Sequence, residues 1–277
     1  MTATTALARS WLFVPATRPE RFEKAAASGA DRIIVDLEDA VAADAKVEAR
    51  DRLAAAAFPS RVPVYLRVNG HGTEWFHDDV VLAARRPFAG VVLPKASSAA
   101  EVERLAAALP PEQTIVPLVE TAAGVWNVLE VARAHGVERL AFGAVDFQLD
   151  AGISGGPLEL AYARSRIAIA SRVAGIAAPV DAISVALDDE LQVESEAREG
   201  RRFGFGGKMC IHPRQVAPTH AAYQPSAEEI AWARGLLEAL AERKGEERGA
   251  FSYRGGMVDR PVIERARQIV AVAGTGS

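Results

Sequence analysis

Eight short apolar runs, each followed by a stretch with helical spacing, constrain this chain more than any other feature. They span residues 11–15, 32–37, 62–68, 90–94, 114–120, 140–146, 180–184 and 207–211. Short apolar runs bounded by helices read as strands covered on both faces, the pattern of a parallel sheet. Alanine- and Glu/Arg-rich segments with helical spacing lie between them, among them 42–57, 99–109, 122–134, 158–174 and 188–199. Eight consecutive βα units are the number that closes a TIM (β/α)8 barrel. An open, doubly wound sheet is the rival, but no G-x-G-x-x-G follows the first run. The expected α/β fold is therefore a TIM barrel core over residues 9–224, followed by a C-terminal helix and lid or arm over 225–277. Within that tail, 227–244 has the pattern of a long surface helix, 245–256 is polar and glycine-bearing, and 262–273 is helical again.

Composition narrows the class. A chain of 277 residues that is 49% hydrophobic can bury a large core. Its 32 basic and 36 acidic side chains leave a net charge of -4, without the basic footprint of a nucleic-acid binder. The single Cys210 excludes an internal disulfide framework and reads as a core residue in a reducing compartment. The first ten residues lack the basic start and apolar stretch of a secretory signal, and no run approaches a membrane span. A cytoplasmic protein is expected.

Charged groups of both signs recur where the runs end, at the rim where barrels place their chemistry. Glu120 closes one run and Asp146 the next. Two hard oxygen ligands on neighbouring strands suit a magnesium ion that keeps positions open for substrate and water. The alternative is that each acid merely caps the helix behind it. Arg67 ends the third run and forks naturally onto a carboxylate, either that of a substrate or that of Glu38 or Asp39. Glu38 and Asp39 would hydrogen-bond metal waters or orient Arg67. Lys95 suits charge pairing better than an imine-forming role, and His212 a structural role better than a ligand or base. Gly143 and Gly124 would allow close backbone approach or tight packing. Asp259, in the tail, is either an ordinary loop acid or a catalytic acid/base carried on a lid.

Taken in order, several motifs resemble the citrate lyase beta-subunit-like family, with its malyl-CoA and citramalyl-CoA lyases. They are Leu12-Phe-Val-Pro-Ala16 with Arg18-Pro-Glu-Arg-Phe22, Asp36-Leu-Glu-Asp-Ala-Val41, Arg67-Val-Asn69, Leu93-Pro-Lys95, Val119-Glu-Thr-Ala-Ala-Gly124, Phe142-Gly-Ala-Val-Asp146, Lys208 with Ile211-His-Pro213, and Met257-Val-Asp259. The resemblance implies a TIM-barrel lyase, usually homotrimeric, that cleaves or forms the carbon–carbon bond of a 3-hydroxy-acyl thioester. It implies magnesium on Glu120 and Asp146, and substrate contacts from Arg67, Glu120, Gly143 and Ala144. Arg18 and Lys24 would lie near the phosphates of a CoA or carrier thioester. Asp259 would reach a neighbouring subunit's site as acid/base. Related chemistries share this metal core: thioester hydrolysis, malate-synthase-like condensation and aldol cleavage of free hydroxy-oxo acids. A non-catalytic binding subunit is a further alternative.

Overall fold

The computed structural model describes residues 8–243 and 251–274. Eight parallel strands close into a barrel in chain order: β1 (Ser10–Pro15), β2 (Arg32–Asp36), β3 (Val64–Arg67), β4 (Gly90–Leu93), β5 (Thr114–Val119), β6 (Ala141–Phe142), β7 (Val180–Asp181) and β8 (Gly207–Cys210). β8 pairs back onto β1, and helices follow the strands, so the TIM barrel expected from the eight runs is the fold.

Alternation along the strands builds two apolar layers. Trp11, Ile34, Tyr65, Val92, Val116, Leu118 and Met209 form one buried cluster within the barrel. Leu12, Ile33, Val35, Leu66, Leu93 and Val119 belong to a second cluster, together with residues of the surrounding helices. A period of two therefore carries the inward set from Ile34 to Asp36, from Tyr65 to Arg67 and from Leu118 to Glu120. Three charged residues reach the inner face at the C-terminal end of adjacent or near-adjacent strands by pleating alone.

The apolar runs are longer than the strands they contain. In 140–146 only Ala141–Phe142 is strand; Gly143 leaves strand geometry, and Asp146 rides in the first turn of the helix Ala144–Asp150. Asp146 thus enters the rim from a helix rather than from a strand end. The helical stretch 122–134 divides at Asn127 into Ala122–Trp126 and Val128–Arg133. There the Asn127 amide turns out of the helix and donates to the Ser97 carbonyl at 3.0 Å.

A second compact unit begins at Gln224. Its helix Ala227–Glu242 starts with a capping box between Ser226 and Glu229. The glycine-bearing stretch is not merely a loop: β9 (Phe251–Tyr253) and β10 (Gly256–Val258) form an antiparallel hairpin. Arg254 and Gly255 make its turn with φ of 48° and 81°, the paired positive values of a tight hairpin turn. Residues 245–250 of that stretch, and residue 244 of the expected helix before it, lie outside the described residues. The unit closes with the helix Arg260–Gly274, and Val258 is buried in a cluster with Ala233, Leu236, Ala266 and Ile269.

Asp79 ties the segment after β3 to the surrounding helices. Fully buried on the helix Phe76–Arg85, it accepts from the Asn69 backbone N–H at 2.9 Å and the Asn69 side-chain amide at 2.6 Å. It also accepts from Arg50 Nη1 at 3.0 Å. Asp79→Ala leaves buried donors unpaired and is expected to cost about 3 kcal/mol in urea unfolding. Asp78→Ala removes only a solvated partner of Arg50 and is expected to cost less than about 1 kcal/mol.

Candidate active site

The site is built outward from a pair of neighbours in the sheet register, Asp36 of β2 and Arg67 of β3. Arg67 Nε and Nη2 donate to the two Asp36 oxygens at 2.7 and 2.6 Å, a bidentate fork. Its Nη1 lies 3.0 Å from Glu38 Oε2 and 3.2 Å from Asp39 Oδ2, and the guanidinium sits 4.7 Å over the Phe13 ring. Asp36 also accepts from the backbone N–H groups of Glu38 and Ala40 at 2.9 and 3.1 Å. Burial alone would lower the Arg67 pKa, but Asp36, then Glu38 and Asp39, outweigh it and raise it. Glu38 and Asp39 do surround Arg67 as expected. The dominant partner is Asp36, which sequence leaves undistinguished among three nearby acids and only the strand register singles out.

Glu120 is the first residue after β5 and is buried. Its Oε1 accepts from the Lys95 backbone N–H at 2.8 Å. Burial, then the nearby Glu38 charge, pushes its pKa up to about 8; Asp146 adds to the rise, and the Lys95 N–H opposes it. A Cβ at Gly143 would lie 2.4 Å from Glu120 Oε2, so the carboxylate occupies space that only glycine leaves open. Gly124 packs equally closely, with its Cβ position 2.6 Å from the Ala96 carbonyl oxygen.

Neither carboxylate is spent on helix capping. Thr121 caps the helix behind Glu120, accepting from the Gly124 N–H at 3.0 Å, and Asp150 accepts from the Ala122 N–H at 2.7 Å. The helix that carries Asp146 has Gly143 at its cap and no side-chain cap bond. Both acids instead line one cavity of about 320 Å³, with Asp36, Arg67, Gly143 and Ala144. Phe13, Leu118, Ile183 and Met209 complete it with apolar surface.

The remaining sequence candidates separate. Lys95 Nζ donates to Glu38 Oε1 at 2.6 Å. Burial alone would lower its pKa, but that hydrogen bond and the Glu38 charge raise it, which disfavours an imine-forming amine. His212 Nδ1 accepts from the Arg214 N–H at 3.2 Å, a structural role. Lys24 lines a second cavity of about 350 Å³ together with His212 and Arg21, a cation that sequence had not distinguished. Arg18 stands on an exposed turn, 3.5 Å from Glu20. Cys210 is buried. Asp259 lies in the second unit, where its Oδ1 accepts from the Val262 N–H at 3.3 Å at the start of the last helix.

Among the described residues no three His, Cys, Asp or Glu side chains converge as in a closed metal site. Two carboxylates on a cavity wall are the donor set of an open site, where a small hard cation keeps ligand positions for substrate. The raised Glu120 pKa fits such a cation, which would replace a proton on a crowded acid.

An enzyme class is defined by these features: a TIM barrel with a carboxylate pair and a locked arginine at its C-terminal rim. The sequence profile of the HpcH/HpaI aldolase/citrate lyase family matches residues 9–213, and the chain belongs to that family. It is 38% identical over 286 residues to a citrate lyase subunit beta-like protein of Deinococcus radiodurans, covering 98% of this chain and 99% of that one. It is 34% identical over 271 residues to a (3S)-malyl-CoA thioesterase of Cereibacter sphaeroides, covering 96% and 94%. The crystal structure of CitE from Mycobacterium tuberculosis in complex with magnesium, acetoacetate and coenzyme A superimposes with a TM-score of 0.87 at 37% identity, covering 98% and 99%.

The Glu120 shift fixes a pH dependence. Its folded pKa of about 8 lies above the ordinary 4.5, so the folded chain holds this proton more tightly than the unfolded chain. The resulting stabilisation is complete below pH 4.5 and is lost as pH rises through about 8. Metal-free Glu120→Gln, which never ionises, is expected to gain stability over the wild type as pH rises from 4 to 9. Urea unfolding at both pH values checks this; an unchanging difference would refute the shift.

Proposed function

We propose that the protein is a magnesium-dependent carbon–carbon lyase that cleaves, or in reverse forms, a 3-hydroxy-acyl thioester of the malyl, citramalyl or citryl type. One observation carries the reading: Glu120 and Asp146 face the same cavity as an already locked Arg67, with no capping duty to explain either acid. The thioester hydrolysis named for the Cereibacter sphaeroides relative is the second reading, because hydrolysis can follow on the same bound thioester.

Glu120 and Asp146 would hold the metal. When bound, magnesium supplies positive charge to the substrate's hydroxyl and carboxylate oxygens. In the cleavage the hydroxyl proton passes to solvent water. The hydroxyl-bearing carbon becomes the carbonyl carbon of the released oxo acid, an aldehyde from a malyl thioester and a ketone from a citramalyl or citryl one. The bond to the thioester α-carbon breaks, and its electron pair passes to the thioester enolate. Arg67 stabilises the negative charge on the oxo-acid oxygen, pre-positioned by Asp36 so that no reorganisation is needed at the moment of reaction. Gly143 and Ala144 line the substrate's approach, among the apolar walls of Phe13, Leu118, Ile183 and Met209. Arg21 and Lys24 suit the thioester's phosphates by charge, with Arg18 on the neighbouring turn. Asp259 of an adjacent copy protonates the enolate carbon.

A homotrimer in the cytoplasm, with each lid segment serving a neighbour's site, completes the reading. Exposed Trp126, Leu149, Leu158, Tyr162 and Ile169 on the barrel unit support a shared surface between copies. No described helix is long and apolar enough to cross a membrane.

Calorimetric titration with magnesium is expected to show at least about a tenfold loss of affinity for Glu120→Ala, Asp146→Ala and Gly143→Ala. Unchanged affinity in the first two would remove them as ligands. Purified enzyme with magnesium should release pyruvate, glyoxylate or oxaloacetate from a panel of hydroxyacyl thioesters, or run the condensation. Silence in both directions would end the lyase reading; thioester loss without an oxo acid would favour hydrolysis.

Asp259→Asn keeps a helix-capping side chain but not a titratable one. It is expected to lower turnover by about 10²–10⁴ with magnesium affinity and Tm unchanged. Co-refolded Asp259→Asn and Glu120→Ala chains should recover part of the activity, because some sites then combine both native residues. No recovery would refute the shared site.

A further inference from the structure

Lys95 occupies a backbone conformation that favours glycine. Its φ is 52°, and Arg254 is the other non-glycine residue with positive φ among the described residues. In this region the Cβ of an L-residue crowds the neighbouring backbone, a conflict glycine does not have. The conformation aims the Lys95 N–H at Glu120 Oε1, 2.8 Å away. Glycine would provide that bond equally well. What glycine cannot provide is the ammonium, which donates to Glu38 Oε1 at 2.6 Å. A lysine held in a glycine conformation points to a function of its side chain.

That function follows from the charges around Arg67. Asp36, Glu38 and Asp39 surround one guanidinium, three carboxylates to a single positive charge. Glu38 is shared: Oε2 lies 3.0 Å from Arg67 Nη1, and Oε1 takes the Lys95 ammonium. A half-exposed lysine pair would ordinarily contribute little. Here the carboxylate is 9% exposed on its side chain and its other oxygen faces a buried arginine, so solvent screens it poorly.

We propose that Lys95 is a positioning residue for the reaction: its ammonium balances Glu38, so that Arg67 keeps positive charge available for the oxo-acid oxygen. This rests on the lyase reading above. Lys95 acts through Glu38 and Arg67, while its backbone separately steadies Glu120.

The test compares Lys95→Gly, Lys95→Asn and Lys95→Arg with the wild-type chain, all full length. Asparagine tolerates the left-handed backbone and serves if the glycine variant fails to fold. Three titrations are read: thermal unfolding, magnesium alone, and oxalate in saturating magnesium, with oxalate as a planar mimic of an oxo-acid enolate. Lys95→Gly is expected to melt at or above the wild-type Tm, with magnesium affinity changed by less than about threefold. Its oxalate affinity and kcat should fall by about 10- to 100-fold, the worth of one charge-assisted hydrogen bond, with KM for the thioester little changed. Lys95→Arg should restore most of both. Wild-type oxalate affinity and kcat in the glycine or asparagine variant would overturn the proposal while leaving the lyase reading intact. A wild-type chain that neither binds magnesium and oxalate nor turns over any thioester would remove both.

Discussion

The fork between Asp36 and Arg67 is the interaction on which the rest of the site depends. Both side chains are nearly free of solvent, at 2% and 9% exposure. Burying such a pair is costly unless its hydrogen-bonding groups are satisfied. Asp36 meets that condition with two guanidinium donors and two backbone donors. The pair exists because β2 and β3 run in a register that sets residue 36 beside residue 67. A slip of one residue would turn Arg67 into the helix layer and Leu66 into the barrel, so closure of the barrel and assembly of the site are one constraint.

Around this pair the charges divide into two groups. On one side Arg67 and Lys95 answer Asp36, Glu38 and Asp39, and Lys46 braces the same loop by donating to the carbonyls of Leu37 and Glu38 at 2.9 and 2.8 Å. On the other side Glu120 and Asp146 crowd each other, and Glu120 receives a backbone N–H rather than a side-chain cation at its Oε1. Glu120 also feels the Glu38 charge, which links the two groups. The Arg67 guanidinium is thus fixed where the proposed reaction would stabilise an oxo-acid oxygen. Among the described residues, Glu120 and Asp146 are left without a side-chain hydrogen bond where the proposed cation would bind.

Most of the architecture was legible because buried parallel strands leave continuous apolar runs, and eight of them admit few folds. Glu120 was legible as a rim carboxylate because it breaks such a run at its exit. Asp146 was legible by type but not by placement, since only the geometry at Gly143 ends the strand early and moves the acid onto a helix. Asp36 was hidden: in Asp36-Leu-Glu38-Asp39 three acids look alike, and cross-strand register, which a single sequence does not display, chooses among them. The hairpin was hidden for a different reason. Arg254 takes a positive φ that its residue type does not advertise, and β9 and β10 are three residues each, too short for alternation to register.

The second unit shows how a capping bond can restrain a loop acid. An isolated two-stranded hairpin is marginal in water. Here Val258 at its end is buried in a cluster shared with two long helices, which fixes the chain at the next residue. That residue is Asp259, whose carboxylate then accepts from the first turn of the terminal helix. Capping requires only an acceptor oxygen, and a carboxylate has two. The same bond that starts the helix therefore restricts the rotamer of a potential acid/base without consuming its capacity to carry a proton. The proposed role of Asp259 in another copy's cavity would gain from such restraint, because placement errors of an ångström at a reacting carbon cost orders of magnitude in rate.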